Sequence, residues 1–123
     1  MIEQKEKVES AELAKTAILG MQEKKAISIV DMDLTNIKNA VCEHFIICHG
    51  TSSTHVSAIA DAVEEFIKKA TGQNAWHKEG YQNAEWILLD YVNVVVHVFN
   101  EQTRRFYNLE GLWADSKVTR IEE

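Results

Sequence analysis

Residues 44–72, HFIICHGTSSTHVSAIADAVEEFIKKATG, combine a strand pattern with a helix pattern and indicate a strand–turn–helix unit. The apolar run after His44 predicts a strand that ends at Gly50. Ser52 or Ser53 can begin the following helix, because a serine hydroxyl accepts from the backbone N–H groups exposed at a helix N-terminus. Gly72 ends this helix. Its apolar positions form one stripe opposite a charged face: Val56, Ile59, Ala60, Val63, Phe66, Ile67 and Ala70.

One helix is predicted before this unit, and further strands are predicted on both sides of it. The predicted elements are a helix over 10–24, a strand over 26–33, a short strand near 75–78, strands over 85–91 and 94–99 that flank a turn at Val92-Asn93, and a last helix from Asn100 or Glu101. This order indicates an α/β (α+β) fold in a single domain over 1–123, with loose ends at 1–9 and 114–123.

The composition is typical of a soluble globular protein. The chain has 123 residues, of which 46% are hydrophobic and 26% are charged, and this length corresponds to about one domain. No apolar run approaches the roughly 18 residues that span a bilayer, and the N-terminus lacks the apolar segment of a secretory signal. We therefore expect a cytoplasmic protein whose two cysteines, Cys42 and Cys48, are reduced thiols.

The charge balance argues against nucleic acid as the main partner. Thirteen Lys and Arg residues stand against nineteen Asp and Glu residues, for a formal net charge of −6. Affinity for phosphates comes from clustered Lys and Arg, so an acidic domain has the wrong sign for gripping RNA or DNA. A basic protein suits this charge better.

One pattern is compatible with phosphoryl-transfer chemistry. Asp31 and Asp33 place two carboxylates on the same face at a strand end, as metal-dependent transferases require. The turn at Gly50 could hold a phosphate at a helix N-terminus. In nucleotidyltransferases, however, the Gly-Ser turn precedes the acidic pair, and here that order is reversed. The alternative interpretation is a strand-end turn and an ordinary helix cap.

Metal and thiol chemistry find little support in the sequence. Candidate ligands cluster between residues 42 and 55, but no CxxC or HxxxH spacing occurs, and one strand face supplies two ligands at most; the candidates are Cys42, His44, Cys48, His49 and His55. Nothing indicates a depressed thiol pKa either. We expect no metal, no cofactor and no catalytic residue, and we interpret His97 as a half-buried histidine of a sheet.

The strand over 85–91 is apolar on both faces. Alternation places Ile87 and Leu89 on one face and Trp86, Leu88 and Asp90 on the other. A sheet that is covered on both sides accounts for this pattern. With few helices to cover the sheet, a partly open face that uses Trp86 as an aromatic anchor accounts for it equally well, with Tyr81 and Tyr91 nearby. Core and interface remain alternatives at this point.

Four blocks of the sequence resemble the Iojap family of ribosomal silencing factors. They occur in the family's order and spacing between about residues 10 and 113: FIICHGTSSTHV with IAD at 45–61, EGYQNAEWILLDY at 79–91, VVVHVF at 94–99, and RFYNLEGLW at 105–113. One departure lies in the hairpin turn, where Val92 replaces a glycine and Asn93 an aspartate that the family often carries.

The resemblance implies a fold, a partner and a mechanism. The fold is a mixed five-stranded sheet packed with helices, related to nucleotidyltransferases but without their catalytic site, so we do not expect an enzyme. The partner is the large ribosomal subunit, through its protein fourteen (uL14), and the factor represses translation by blocking association with the small subunit. Trp86 matches the family's docking tryptophan. We add Leu88, Asp90 and Tyr91 by alternation and adjacency, and then Tyr81 and Glu79.

Two other function classes stay open. A degenerate nucleotidyltransferase would retain nucleotide binding, and a ribosome-assembly or RNA-binding module would bind naked RNA with a steep salt dependence. An apolar sheet face also favours a homodimer that would compete with ribosome binding.

Overall fold

The computed structural model describes the backbone of residues 2–122 and the side chains of residues 9–122. The elements are α1 (Ile2–Glu23), β1 (Ile27–Asp33), β2 (His44–Gly50), α2 (Ser53–Thr71), β3 (His77–Glu79), β4 (Trp86–Asp90), β5 (Val94–Asn100), α3 (Glu101–Tyr107), α4 (Leu109–Leu112) and β6 (Lys117–Arg120). The predicted α+β class is confirmed.

The strands form one mixed sheet in the order β3-β4-β5-β2-β1-β6. β2 and β5 are parallel, and the other neighbouring pairs are antiparallel. The predicted number of five strands is wrong, because β6 pairs with β1 from Val30↔Arg120 to Asp33↔Lys117. The residues of β6 were predicted to be part of a loose end. They are all exposed, and an edge strand of this kind needs ladder hydrogen bonds rather than an apolar pattern.

The first helix is longer than predicted. It begins at Ile2 rather than near Ser10, so it includes residues 2–9 of the expected loose end. Met1, also in that predicted loose end, lies outside the described residues. Gly20 marks its contact with α2: a Cβ there would lie 2.8 Å from the Cα of Val63. The glycine thus permits close packing of the two helices.

The strand–turn–helix unit at 44–72 has the predicted caps. The Ser52 hydroxyl accepts from the backbone N–H of His55 at 3.0 Å, and Gly72 adopts a left-handed conformation with φ 75°. The His55 ring closes the turn, since its Nδ1 accepts from the backbone N–H of Thr51 at 2.9 Å and its Nε2 donates to the Lys24 carbonyl at 2.7 Å. This turn is therefore occupied by the chain's own side chains.

The two faces of the sheet are covered differently. Helices α1 and α2 pack on one face and form the larger core. A second cluster on the opposite face is built around Phe45, Ile47 and Phe99, with residues of the 34–42 connection and the C-terminal segment packed against it. Trp86 and Leu88 lie at the margin of this second cluster and are only partly buried. The sheet face without long helices is thus incompletely covered beside β4.

Candidate docking site

Strand β4 presents different side chains to the two faces of the sheet. Ile87 and Leu89 are fully buried in the core beneath the helices. Trp86, Leu88 and Asp90 point to the opposite face and are half-buried. The predicted alternation is confirmed, and it leaves a tryptophan and a leucine at the protein surface.

Trp86 is held on three sides. Its ring stacks on Phe99, its direct cross-strand neighbour, with centroids 4.9 Å apart and planes inclined by 29°. Tyr107 of α3 lies against it at 4.7 Å. Its indole Nε1 donates to Nδ1 of His97 at 3.0 Å. Stacking and a hydrogen bond together fix the ring in one orientation.

His97 is a buried, neutral histidine. The residue is 3% exposed, and burial lowers its pKa to about 3, because a charged imidazolium is not stable in an apolar interior. The rings of His97 and Phe45 form a T-shaped pair, with centroids 4.8 Å apart and planes inclined by 83°. His97 is therefore more deeply buried than the half-buried position that the sequence predicted.

Helix α3 extends the exposed aromatic surface. Phe106 is 81% exposed and Tyr107 is 50% exposed. With Trp86 they border an open groove of about 520 Å³, which is lined by Gly80, Asn83, Glu85, Trp86, Gln102, Thr103, Phe106 and Tyr107. The sequence prediction missed Phe106 and Tyr107. Successive side chains of a helix project about 100° apart, so two aromatic rings in succession on a short helix predict that at least one faces solvent. This signal could have identified them.

The position of α3 is fixed by its N-terminal cap and by one buried arginine. The Asn100 side chain accepts from the backbone N–H of Thr103 at 2.8 Å. Arg104 is 8% exposed and donates to the Ser28 carbonyl at 2.8 Å and to the Glu110 carboxylate at 3.0 Å. Since Arg104 joins α3 to β1, Tyr107 stays in place beside Trp86.

The predicted partner-binding residues divide into two groups. Glu79 is paired with Leu88 across the β3–β4 ladder, so it lies on the same face as Leu88, Trp86 and Asp90. We call these four residues, together with Phe106 and Tyr107, the Trp86 surface.

Tyr91 and Tyr81 are not part of the Trp86 surface. Tyr91 is 7% exposed in the core beneath the helices, because alternation turns it away from Asp90, and burial raises its pKa to about 12. Tyr81 packs against the same core and donates its hydroxyl to Glu64 of α2 at 2.5 Å. Burial, and then this carboxylate, raise the pKa of Tyr81 above its ordinary range. The predicted grouping of both tyrosines with Trp86 is wrong.

The two strand-end aspartates are engaged within the chain. Asp31 accepts from Nδ1 of His44 at 2.8 Å. Asp33 accepts from the Thr35 hydroxyl at 2.6 Å and from the Thr35 backbone N–H at 2.9 Å. Burial alone would raise the pKa of Asp33, but these hydrogen bonds and the charges of His44 and Lys117 lower it below its ordinary value. The arrangement is that of a strand-end turn with an ion pair.

The other candidate ligands and nucleophiles lie apart or are buried. Among the described residues, no group of three or more His, Cys, Asp and Glu side chains could hold a metal ion. Cys42 and Cys48 are buried free thiols, and burial raises the pKa of both to about 12, so neither is a thiolate near neutral pH.

In the part of the chain that the structure describes, no helix has the length and apolar character needed to cross a membrane.

Comparison with known proteins extends the resemblance across most of the chain. The sequence model of a family described as "Ribosomal silencing factor during starvation" matches residues 7–123. The ribosomal silencing factor RsfS of Halalkalibacterium halodurans is 37% identical over 111 residues, which cover 90% of this chain and 93% of that protein. A crystal structure of a protein from Chromobacterium violaceum superimposes with a TM-score of 0.79 at 29% identity, and covers 92% of each chain.

A more distant relative is named for ribosome assembly. The mouse protein named "Mitochondrial assembly of ribosomal large subunit protein 1" is 30% identical over 73 residues, which span 58% of this chain and 32% of the mouse protein.

Proposed function

The chain belongs to the ribosomal silencing factor family, and we propose that it binds the large ribosomal subunit and blocks its association with the small subunit. The observation that carries this proposal is the Trp86 surface, an aromatic patch on an incompletely covered sheet face. The partner we propose is uL14, the protein that the family resemblance implies.

The geometry of Trp86 suits an anchor residue. Buried tryptophans contribute much of the binding energy in many protein interfaces. An anchor that is already fixed loses little side-chain entropy on binding. The ring stacks on Phe99 and Tyr107, while the side chain remains partly exposed. It is thus oriented before a partner arrives.

The charge around the anchor favours a basic partner. Asp90 and Glu79 lie on the same face as Leu88, and the chain as a whole carries a formal net charge of −6. A negative surface accelerates encounter with a positive one, and this effect weakens as salt is added. A basic ribosomal protein meets this requirement better than bare RNA, which is itself negative. The name of the mouse relative is consistent with a partner on the large subunit.

The proposed mechanism is steric. A domain of 14.0 kDa has a diameter of about 30 Å, estimated from the compactness of small domains. A body of this size on the intersubunit face prevents the two subunits from closing. It represses translation in the cytoplasm by occupying a surface and performs no catalysis, so its inhibition is stoichiometric.

Co-sedimentation tests the binding step. The protein is mixed with purified large subunits and, separately, with small subunits, and each mixture is centrifuged through sucrose. We expect one molecule per large subunit and none on the small subunit. Leu88→Glu places a charge in the centre of the Trp86 surface and should abolish binding. Leu19→Glu is the matched control, since Leu19 is 54% exposed on α1.

Two results would contradict the proposal. Equal loss of binding in Leu88→Glu and Leu19→Glu would show that the Trp86 surface is not the docking site. Equal binding to both subunits would remove the proposed specificity. Sedimentation velocity of the free protein tests the predicted homodimer with the same variants. Leu88→Glu should also disrupt a dimer that uses this face.

A further inference from the structure

The one polar atom of the Trp86 ring is turned into the protein. An indole N–H can only donate a hydrogen bond, and in Trp86 it donates to Nδ1 of His97, 3.0 Å away. The hydrogen bond is formed within the chain, so a docking partner meets the hydrocarbon part of the ring.

This hydrogen bond dictates the protonation of His97. Its Nδ1 must carry a lone pair to accept from the indole, so in the neutral ring the proton lies on Nε2. Nε2 is buried and has no hydrogen-bond partner among the described residues. The neighbouring rings are those of Phe45 and Phe99. His97 therefore has one satisfied nitrogen, the one that faces Trp86.

An unpartnered N–H in an apolar core opposes folding. A leucine of similar volume would avoid that cost at this position, where the neighbouring rings are those of Phe45 and Phe99. Leucine, however, offers no acceptor to Trp86. Beyond packing, His97 therefore fixes the orientation of the Trp86 indole.

We propose that His97 is a positioning residue of the docking site, which holds the indole N–H of Trp86 inward so that the partner is offered an apolar ring and no donor. This inference rests on the proposed function of the Trp86 surface. It also assigns a chemical character to the partner's pocket, which is apolar and needs no acceptor for Trp86.

Two substitutions separate positioning from packing. His97→Leu keeps the volume but removes the acceptor, whereas His97→Asn can place its amide oxygen where Nδ1 lies. We expect His97→Leu to weaken binding to purified large subunits about tenfold, because the indole N–H of Trp86 is then left without an acceptor when the partner buries the ring. His97→Asn should restore most of the affinity. In a Trp86→Phe background, which has no indole N–H, His97→Leu should have little further effect.

NMR provides a test that does not depend on ribosome binding. In the free wild-type protein, proton–nitrogen correlation spectra should show Nδ1 of His97 without a proton and Nε2 with one, and the indole Nε1–H of Trp86 should exchange slowly with solvent. His97→Leu should accelerate that exchange, and His97→Asn should restore the protection.

The outcomes distinguish this inference from the proposed function. A proton on Nδ1, or fast exchange of the indole N–H in the wild type, would overturn the positioning role whatever the ribosome does. Equal effects of His97→Leu on binding in the wild-type and Trp86→Phe backgrounds would overturn it as well. Failure of the wild type to bind large subunits, with the NMR results as expected, would instead contradict the proposed function.

Discussion

Acid should destabilise this protein through His97. Burial lowers the pKa of His97 to about 3, whereas an unfolded histidine titrates near pH 6.5. Between these two values the unfolded chain binds a proton at this residue and the folded chain does not. Stability therefore falls as the pH falls below about 6.5, and the loss is complete near pH 3.

The expected loss is large compared with the stability of a small domain. One proton that binds only to the unfolded state changes the free energy of unfolding by about 1.4 kcal/mol per pH unit. From pH 6.5 to pH 5 the loss is thus about 2 kcal/mol, out of a total of roughly 5–15 kcal/mol. His44 acts in the opposite direction, but its contribution is already complete below its ordinary pKa and does not cancel that of His97.

Urea unfolding between pH 7.5 and pH 5 measures this effect. His97→Asn is the comparison, because it retains an acceptor for Trp86 but cannot be protonated. We expect the wild type to lose about 2 kcal/mol more than the variant over this range. Taking the difference removes the contributions of carboxylates and other histidines that the two proteins share. Parallel curves for both proteins would refute the buried, neutral state of His97.

Three further substitutions have defined outcomes. Trp86→Ala should weaken large-subunit binding by at least about 2 kcal/mol, as for other anchor tryptophans. It should lower the free energy of unfolding by less than the roughly 3–5 kcal/mol expected when a core aromatic residue is truncated. Unchanged binding together with a large loss of stability would make Trp86 a core residue. Val92→Gly should raise the free energy of unfolding by about 1 kcal/mol in urea unfolding, because a β-branched residue at φ 74° is strained. A destabilised variant would show that Val92 is not strained in this turn. Burial alone would lower the pKa of His44, but its hydrogen bond to Asp31 and the charges of Asp31, Asp33 and Glu43 outweigh burial and raise the pKa above its ordinary value. The resulting stability is fully present below about pH 6.5 and is lost as the pH rises through the raised pKa, so unfolding curves between pH 6.5 and 8 should depend on pH less in Asp31→Asn than in the wild type.

Much of the fold was predictable because hydrophobic period and capping residues agree. The stripe of α2 lies between Ser52 and Gly72, which cap the helix as predicted. The same signals are weak at the edge of the sheet. β6 has four exposed residues, and its pairing with β1 depends on the tertiary position of the chain rather than on its own sequence.

The site was partly predictable for a similar reason. Alternation along β4 correctly placed Trp86, Leu88 and Asp90 on one face. Adjacency in sequence misplaced Tyr91, because successive residues of a strand point to opposite faces. The contacts of Trp86 with Tyr107 and His97 could not be predicted in detail, since they depend on the position of α3 and on side-chain rotamers.

Subunit joining tests the proposed steric mechanism. Purified large subunits are preincubated with the protein, small subunits are added, and light scattering records the formation of whole ribosomes. This mechanism predicts that joining fails once about one molecule is present per large subunit. The Leu88→Glu variant at the same concentration should leave joining normal. Preformed ribosomes should resist dissociation, because the docking surface on the large subunit is already covered. Normal joining with the large subunit saturated by the protein, or inhibition at far below one molecule per subunit, would contradict it.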